Sequence, residues 1–218
     1  MRAAVVFSGC GHKDGTEISE GVLTLMALEK RGIEWEGFAP EGEFTAHSHL
    51  HEGKGSLGER SFIEEAARIT RGNIHPLKDL KVDKFDLICL PGGFGAALHL
   101  SNFAKKGFNG EVLEELDKIL RAFHTQRKPI VAVCIAPAIV AMALKDAKVT
   151  ITLGTDTATY QEQCSFAHFK AAEANECVVD RTNRVITTPA FMIEEPSRFL
   201  VAIGIDKALE EAVDLIAD

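Results

Sequence analysis

A disulfide framework is the first thing this sequence lacks. Its cysteines, at 10, 89, 134, 164 and 177, are odd in number and nowhere spaced as CxxC, which excludes a stapled scaffold and a zinc knuckle. A basic block of the kind that tracks phosphates is also missing. Net charge is −8, with acids and bases mixed along the chain, so nucleic acid is not an expected partner. No apolar run reaches the roughly 18 residues needed to span a bilayer, so no membrane association is expected. The N-terminal stretch "MRAAVVFSGCG" has one Arg and too short an apolar run for a secretory leader. It reads instead as a first strand, in a protein expected to be cytoplasmic. Linkers and internal repeats are absent as well, so residues 1–218 read as a single domain.

What the chain does have is alternation. Short apolar runs at 2–7, 33–39, 85–90, 129–133, 149–153 and 184–189 read as strands. Between them, 16–32, 61–72, 109–128, 135–144 and 193–217 carry helical spacing; in 16–32 the apolar positions are Ile18, Val22, Leu25, Met26 and Leu28, and Gly32 is placed as the C-cap. Ser61 followed by Glu64 is a capping-box signal. Residues 40–60 are polar and Gly-rich, a loop or hairpin excursion. Strands alternating with helices imply an α/β fold with a mostly parallel sheet. In such sheets ligands sit beyond the carboxyl ends of the strands, and three polar or Gly-rich turns fall there: 8–15, 91–97 and 134–137.

The third of these turns interrupts the apolar run "VAVCIAPAIV" at Cys134. A nucleophile on a strand-to-helix elbow needs small residues two before and two after it, because the two backbones crowd there. Ala132 and Ala136 meet that need, and Pro137 suits a first helical turn. A thiol at a helix N-terminus is expected to have a lowered pKa. The plainer reading is that Cys134 is a small core residue, since free cysteine is among the most buried types; the strand break and the two alanines weigh against it. In "PGGFGA", Gly92 and Gly93 let backbone N–H groups come close to a ligand. One N–H from this turn and one from Ile135 would form an oxyanion hole. "GFGAAL" matches a dinucleotide fingerprint only in its first two glycines and does not follow the first strand, so no nucleotide cofactor is expected.

Glu17 and Glu20 share a face at the start of the first helix, where either could serve a thiol as acid and base. From residue pattern alone, simple complement to the helix dipole is the favoured reading for both. His47, His49 and His51 alternate as strand residues facing one way would, but no further ligand is placed by the pattern, and no metal is assigned. Cys10, in "SGCG", reads as a small loop residue with a redox role beside Cys134 as the alternative; Cys89 reads as inert.

Taken together, "SGCGHKDGTEISE", "EAARITRGNIHPL", "LPGGFGAALHLSNFA", "VCIAPA", "TLGTD" and "VITTPAFM" resemble the DJ-1/PfpI superfamily. Within it they are most similar to the isoprenoid-biosynthesis glyoxalase group, also called enhancing-lycopene-biosynthesis or sigma cross-reacting protein, with an amidotransferase-like domain. The resemblance runs from residue 1 to about 205. It implies a flavodoxin-like three-layer sandwich, a nucleophile at Cys134 and an oxyanion hole near Gly93 and Ile135. It also implies an acid from the first helix touching the thiol. Counting back from the helix-ending Gly32 gives Glu20, with Glu17 second. The activity implied is a lyase-type, cofactor-independent glyoxalase turning a small dicarbonyl, glyoxal, into glycolate, in a homodimer. Two departures matter. Where many members carry a histidine, this chain has Ile135 and Gly154, and His168 is the only histidine after Cys134. Glutamine hydrolysis is therefore disfavoured. A redox-sensing protein with an oxidisable cysteine and an amidotransferase-like subunit stand as the alternative readings.

Overall fold

Alternate residues of the first strand, Ala3 and Val5 against Ala4 and Val6, are all fully buried, and they sort into two separate cores. A strand apolar on both faces belongs in the middle of a covered sheet. The computed structural model, which describes residues 1–50 and 55–217, places it there.

In chain order the elements begin with β1 (Arg2–Val6), α1 (Ile18–Lys30), β2 (Glu34–Ala39), β3 (Glu43–His47), β4 (Ser56–Ser61), α2 (Phe62–Thr70) and β5 (Ile74–Pro76). There follow β6 (Leu87–Leu90), α3 (Phe94–Leu98), α4 (Phe103–Lys106), α5 (Glu114–Thr125), β7 (Ile130–Val133) and α6 (Ala136–Ala143). The chain closes with β8 (Thr150–Ile151), α7 (Thr157–Gln163), β9 (His168–Phe169), β10 (Val178–Asp180), β11 (Val185–Thr188) and α8 (Arg198–Ala217). Seven strands form one sheet in the order β10-β11-β7-β6-β1-β2-β5, parallel throughout except for β10 at one edge. Leu25 and Leu28 of α1, Ala66 of α2 and Ile205 and Leu209 of α8 pack on the face carrying Ala3, Val5, Leu87 and Val131. Leu116, Leu120 and Phe123 of α5, with α6, pack on the face carrying Ala4, Val6, Ile88 and Ile130. This is the flavodoxin-like three-layer sandwich. The order reverses between β1 and β6, and that crevice is where such sheets bind ligands.

Local chemistry sets the element ends. Glu17 caps α1, its carboxylate accepting the Glu20 N–H at 2.7 Å. Past the other end, the Ile33 N–H bonds the Leu28 carbonyl at 3.1 Å beyond Gly32, a Schellman closure. Ser61 caps α2 as its spacing predicts. The 40–60 excursion contains the antiparallel hairpin β3–β4, which stands apart from the main sheet.

One strand lies elsewhere than its pattern suggests. Among the described residues the 149–153 run pairs, through β8, only with the short β9. Its N–H groups reach side chains of the main sheet: Thr150 donates to Asp180 Oδ2 at 2.7 Å and Thr152 to Thr187 Oγ1 at 3.0 Å. Side-chain acceptors thus take the place of a neighbouring strand. Among the described residues no helix is long and apolar enough to cross a membrane.

Candidate active site

Cys134 sits at the carboxyl end of β7, one residue before the α6 cap at Ile135, with φ +63. A side chain in that left-handed region costs about 1–3 kcal/mol, and such strain persists only where the surroundings enforce it. Here they do: the Cys134 N–H is tied to the Thr188 carbonyl of β11 at 2.9 Å, and Ala132 and Ala136 are fully buried on either side. Pro137 falls in the first turn of α6, where a missing N–H costs nothing. The residue is left almost fully buried, 8% exposed, at the carboxyl end of the sheet.

Two backbone N–H groups, from Gly93 and Ile135, bond toward the Cys134 sulfur and favour its ionised form. They come from different strand ends and converge as oxyanion-hole donors must. Gly93 has φ +96 and ψ 153, a conformation open essentially only to glycine. Gly92, also expected as a hole donor, turns the other way: its N–H goes to Glu20 Oε2 at 2.9 Å. Its lack of a side chain is what lets this happen, because a Cβ there would lie 2.5 Å from Cys134 Cβ and 2.7 Å from the Val133 carbonyl.

Glu20 is fully buried in the first turn of α1. Its Oε2 accepts the Gly92 N–H at 2.9 Å, and the Cys134 thiol and the Phe191 N–H lie close enough to favour its ionised form, while Oε1 is buried with no hydrogen-bond partner among the described residues. Burial, then the charge of Glu17, pushes its pKa up to about 8, against the pull of those three groups. The expected depression of the thiol pKa is not found. Burial first, and the Glu20 charge second, raise Cys134 well above its ordinary value, and the two backbone donors only partly offset them. Desolvation in a sealed site outweighs the N-terminus of an eight-residue helix. The unit that titrates is therefore the Glu20–Cys134 pair.

Glu17 lies beside this pair, half-buried, with its carboxylate on the Glu20 backbone. Its own N–H bonds the Gly92 carbonyl at 3.0 Å, which ties the start of α1 to the glycine turn. Phe191 and Tyr160 were not marked by sequence pattern. Phe191 enters through a backbone N–H, which no side-chain motif encodes, and half-buried Tyr160 of α7 feels the charge of Cys134. Cys10 is half-buried, with Glu65 and Arg68 of α2 as its foremost charged neighbours, and burial raises its pKa. Cys89 is buried in β6 and raised much further. His47 and His49 are exposed; His49 Nε2 accepts the Lys13 N–H at 3.2 Å and lies 3.6 Å from Asp14 Oδ1. His51 lies outside the described residues, and among those described no three ligands gather to hold a metal.

Residues 11–193, which contain every group just named around the thiol, match the profile of the DJ-1/PfpI family. The chain belongs to the DJ-1/PfpI family. It is similar to the human glutamine amidotransferase-like class 1 domain-containing protein 3, mitochondrial, at 38% identity over 208 residues, covering 91% of this chain and 78% of that one. The rat ES1 protein homolog, mitochondrial, is 38% identical over 202 residues, covering 88% and 76%. The crystal structure of an isoprenoid biosynthesis protein with amidotransferase-like domain from Ehrlichia chaffeensis superposes with a TM-score of 0.91 at 33% identity, over 99% of both chains. These relatives share the amidotransferase-like fold of this DJ-1/PfpI chain. They also correct the cytoplasmic expectation, because the human and rat proteins are named mitochondrial. Composition could not carry that information: a cellular address is read by transport receptors and leaves no mark on a folded core.

Proposed function

We propose that this DJ-1/PfpI protein is a cofactor-independent glyoxalase acting on small dicarbonyls such as glyoxal. One observation carries the reading: a fully buried carboxyl with one unpartnered oxygen faces the elbow thiol, while two backbone N–H groups approach the same sulfur. The narrow exposure of Cys134 suits a substrate of a few atoms. Proton traffic is handled by Glu20, whose pKa near 8 leaves both its forms accessible around neutral pH.

In the first step the Cys134 sulfur bonds one aldehyde carbon. Its proton passes through Glu20 to the former carbonyl oxygen, giving a hemithioacetal, and the Gly93 and Ile135 N–H groups hold that oxygen as charge develops. Glu20 then removes the proton from the sulfur-bearing carbon. The resulting enediol takes a proton back at the neighbouring carbon and becomes a glycolyl thioester. Water cleaves the thioester, releasing glycolate and the free thiol. The sum is glyoxal plus water giving glycolate, with one carbon oxidised and the other reduced inside the same molecule, so no external oxidant enters.

The test is glycolate formation from glyoxal by wild type, Cys134→Ala and Glu20→Gln, with methylglyoxal and glutamine in parallel. Both variants should lose about 10²-fold or more. Turnover unchanged by Cys134→Ala would end the proposal. Ammonia release from glutamine would favour the amidotransferase reading. A redox sensor finds less support, since sensor cysteines are exposed and of low pKa, whereas this one is sheltered and raised.

A further inference from the structure

Asp14 is a carboxylate that the thiol site does not use. It is 2% exposed, and its Oδ1 is buried without a hydrogen-bond partner among the described residues. A buried acceptor left unpaired calls for an explanation. Facing it is His49 Nε2, 3.6 Å away, in the stretch that leaves β3. Gly11 makes room for both atoms: a Cβ there would lie 2.5 Å from Nε2 and 2.9 Å from Oδ1.

The hydrogen bonds of His49 fix its protonation. Nδ1 lies 2.9 Å from the His47 carbonyl, which can only accept, so Nδ1 carries a proton. Nε2 accepts the Lys13 N–H at 3.2 Å, so it carries none. The ring is therefore neutral, in its Nδ1–H form. Asp14 Oδ2 accepts the His47 N–H, and the Lys13 ammonium donates to the Ser48 and Leu50 carbonyls. These bonds fasten the hairpin to the 8–15 loop. The His12 and Gly15 carbonyls of that loop take the N–H groups of Phe94 and Gly95, next to the glycine turn of the thiol site.

We propose that Asp14 and His49 form a proton-operated clasp, which holds the β3–β4 hairpin on this loop more firmly when a proton from solvent binds His49 Nε2. The new Nε2–H donates to Asp14 Oδ1, and the exposed Lys13 N–H turns to water. A charge-assisted bond to an unpaired carboxylate oxygen then replaces a neutral bond, and charge-assisted bonds are about twice as strong. Imidazole changes charge between about pH 5 and 8. The firmer hold is present at the acid end of that range and is lost as pH rises through it. The charged and titratable groups around the ring are Asp14, Lys13 and His12 of the loop, His12 with its ring centroid 5.0 Å away, and His47 of β3. The clasp does not depend on the glyoxalase reading.

The experiment is nuclear magnetic resonance of the full-length protein with isotope-labelled histidine, together with hydrogen exchange. At about pH 8 the ring nitrogens of His49 should report the Nδ1–H form. The midpoint of its titration should be lower by about half a pH unit or more in Asp14→Asn, whose amide can donate to a bare Nε2 but cannot accept from a charged one as a carboxylate does. Exchange protection of the Glu43–His47 amides, corrected for intrinsic rates, should rise roughly fivefold in wild type from about pH 8 to about pH 6. His49→Gln changes a surface side chain and leaves the buried Asp14 in place; its protection should show no such rise. An Nε2–H form at about pH 8 overturns the proposal. So does a midpoint unmoved by Asp14→Asn, or an equal rise in protection in His49→Gln.

Discussion

Replacing Glu20 by Gln should make the protein more stable at neutral pH while destroying its chemistry. The carboxyl has an ordinary pKa of 4.5 and is raised to about 8 in the folded protein, by burial first and by Glu17 second. The folded state therefore holds this proton over a range in which the unfolded chain releases it. Stability from the protonated group is fully present below the unfolded pKa and is lost as pH rises through the folded one. At about 1.4 kcal/mol per unit, the loss between about pH 5 and about pH 7.5 is roughly 3 kcal/mol, approaching roughly 5 kcal/mol above pH 8. Glutamine cannot ionise. Its carbonyl can accept the Gly92 N–H, and its amide can face the sulfur. Urea unfolding of both proteins across this pH range isolates the effect, because every other titrating group is shared. The stability difference should grow in favour of Glu20→Gln by roughly 3 kcal/mol. A difference constant with pH would refute the buried, proton-holding carboxyl on which the mechanism depends. The gain would also identify the wild-type residue as one kept for function at a cost in stability.

Three further outcomes follow from the same geometry. Gly92→Ala, whose Cβ would sit 2.5 Å from Cys134 Cβ and 2.7 Å from the Val133 carbonyl, should cost about 3 kcal/mol or more in urea unfolding and abolish glycolate formation. Asp180→Ala removes the acceptor for the N–H groups of Thr150 at 2.7 Å and Asn183 at 3.0 Å; its melting temperature should fall by an amount equivalent to about 2–4 kcal/mol, while Cys134 alkylation keeps its pH midpoint. Glycolate formation in wild type should rise with pH through about 8 as Glu20 becomes able to accept a proton, and a rate flat across that range would remove Glu20 as the base.

Much of this fold was legible because the strands are apolar on both faces. The runs at 2–7, 85–90 and 129–133 could belong only to a sheet covered on both sides, and the elbow showed as a break between small residues at 132 and 136. The strand β10 went unread: three residues at an antiparallel edge leave no periodicity. The helix α3 was hidden in a glycine turn for the same reason of length. At the site, residue types were readable and directions were not. Nothing in "PGG" tells which N–H points to the acid and which to the sulfur, so Gly92 and Gly93 looked alike. The direction of the Cys134 pKa was misjudged because a helix N-terminus is visible in sequence, whereas the burial that overrides it exists only after folding. Glu20 was singled out over Glu17 by family spacing; the contact itself depends on β6 and β7 bringing Gly92 and Cys134 to the same side of α1.

The central claim is that Cys134 bonds the substrate while Glu20 moves its protons. Mass spectrometry of the protein quenched during incubation with glyoxal tests this most directly. The account predicts one glyoxal-derived group on the Cys134 peptide of wild type, a slower-forming but longer-lived one on Glu20→Gln, where the shuttle is lost and the hemithioacetal cannot isomerise, and none at that position in Cys134→Ala. Glycolate produced at an undiminished rate by Cys134→Ala, with no adduct on the wild-type peptide, would contradict it.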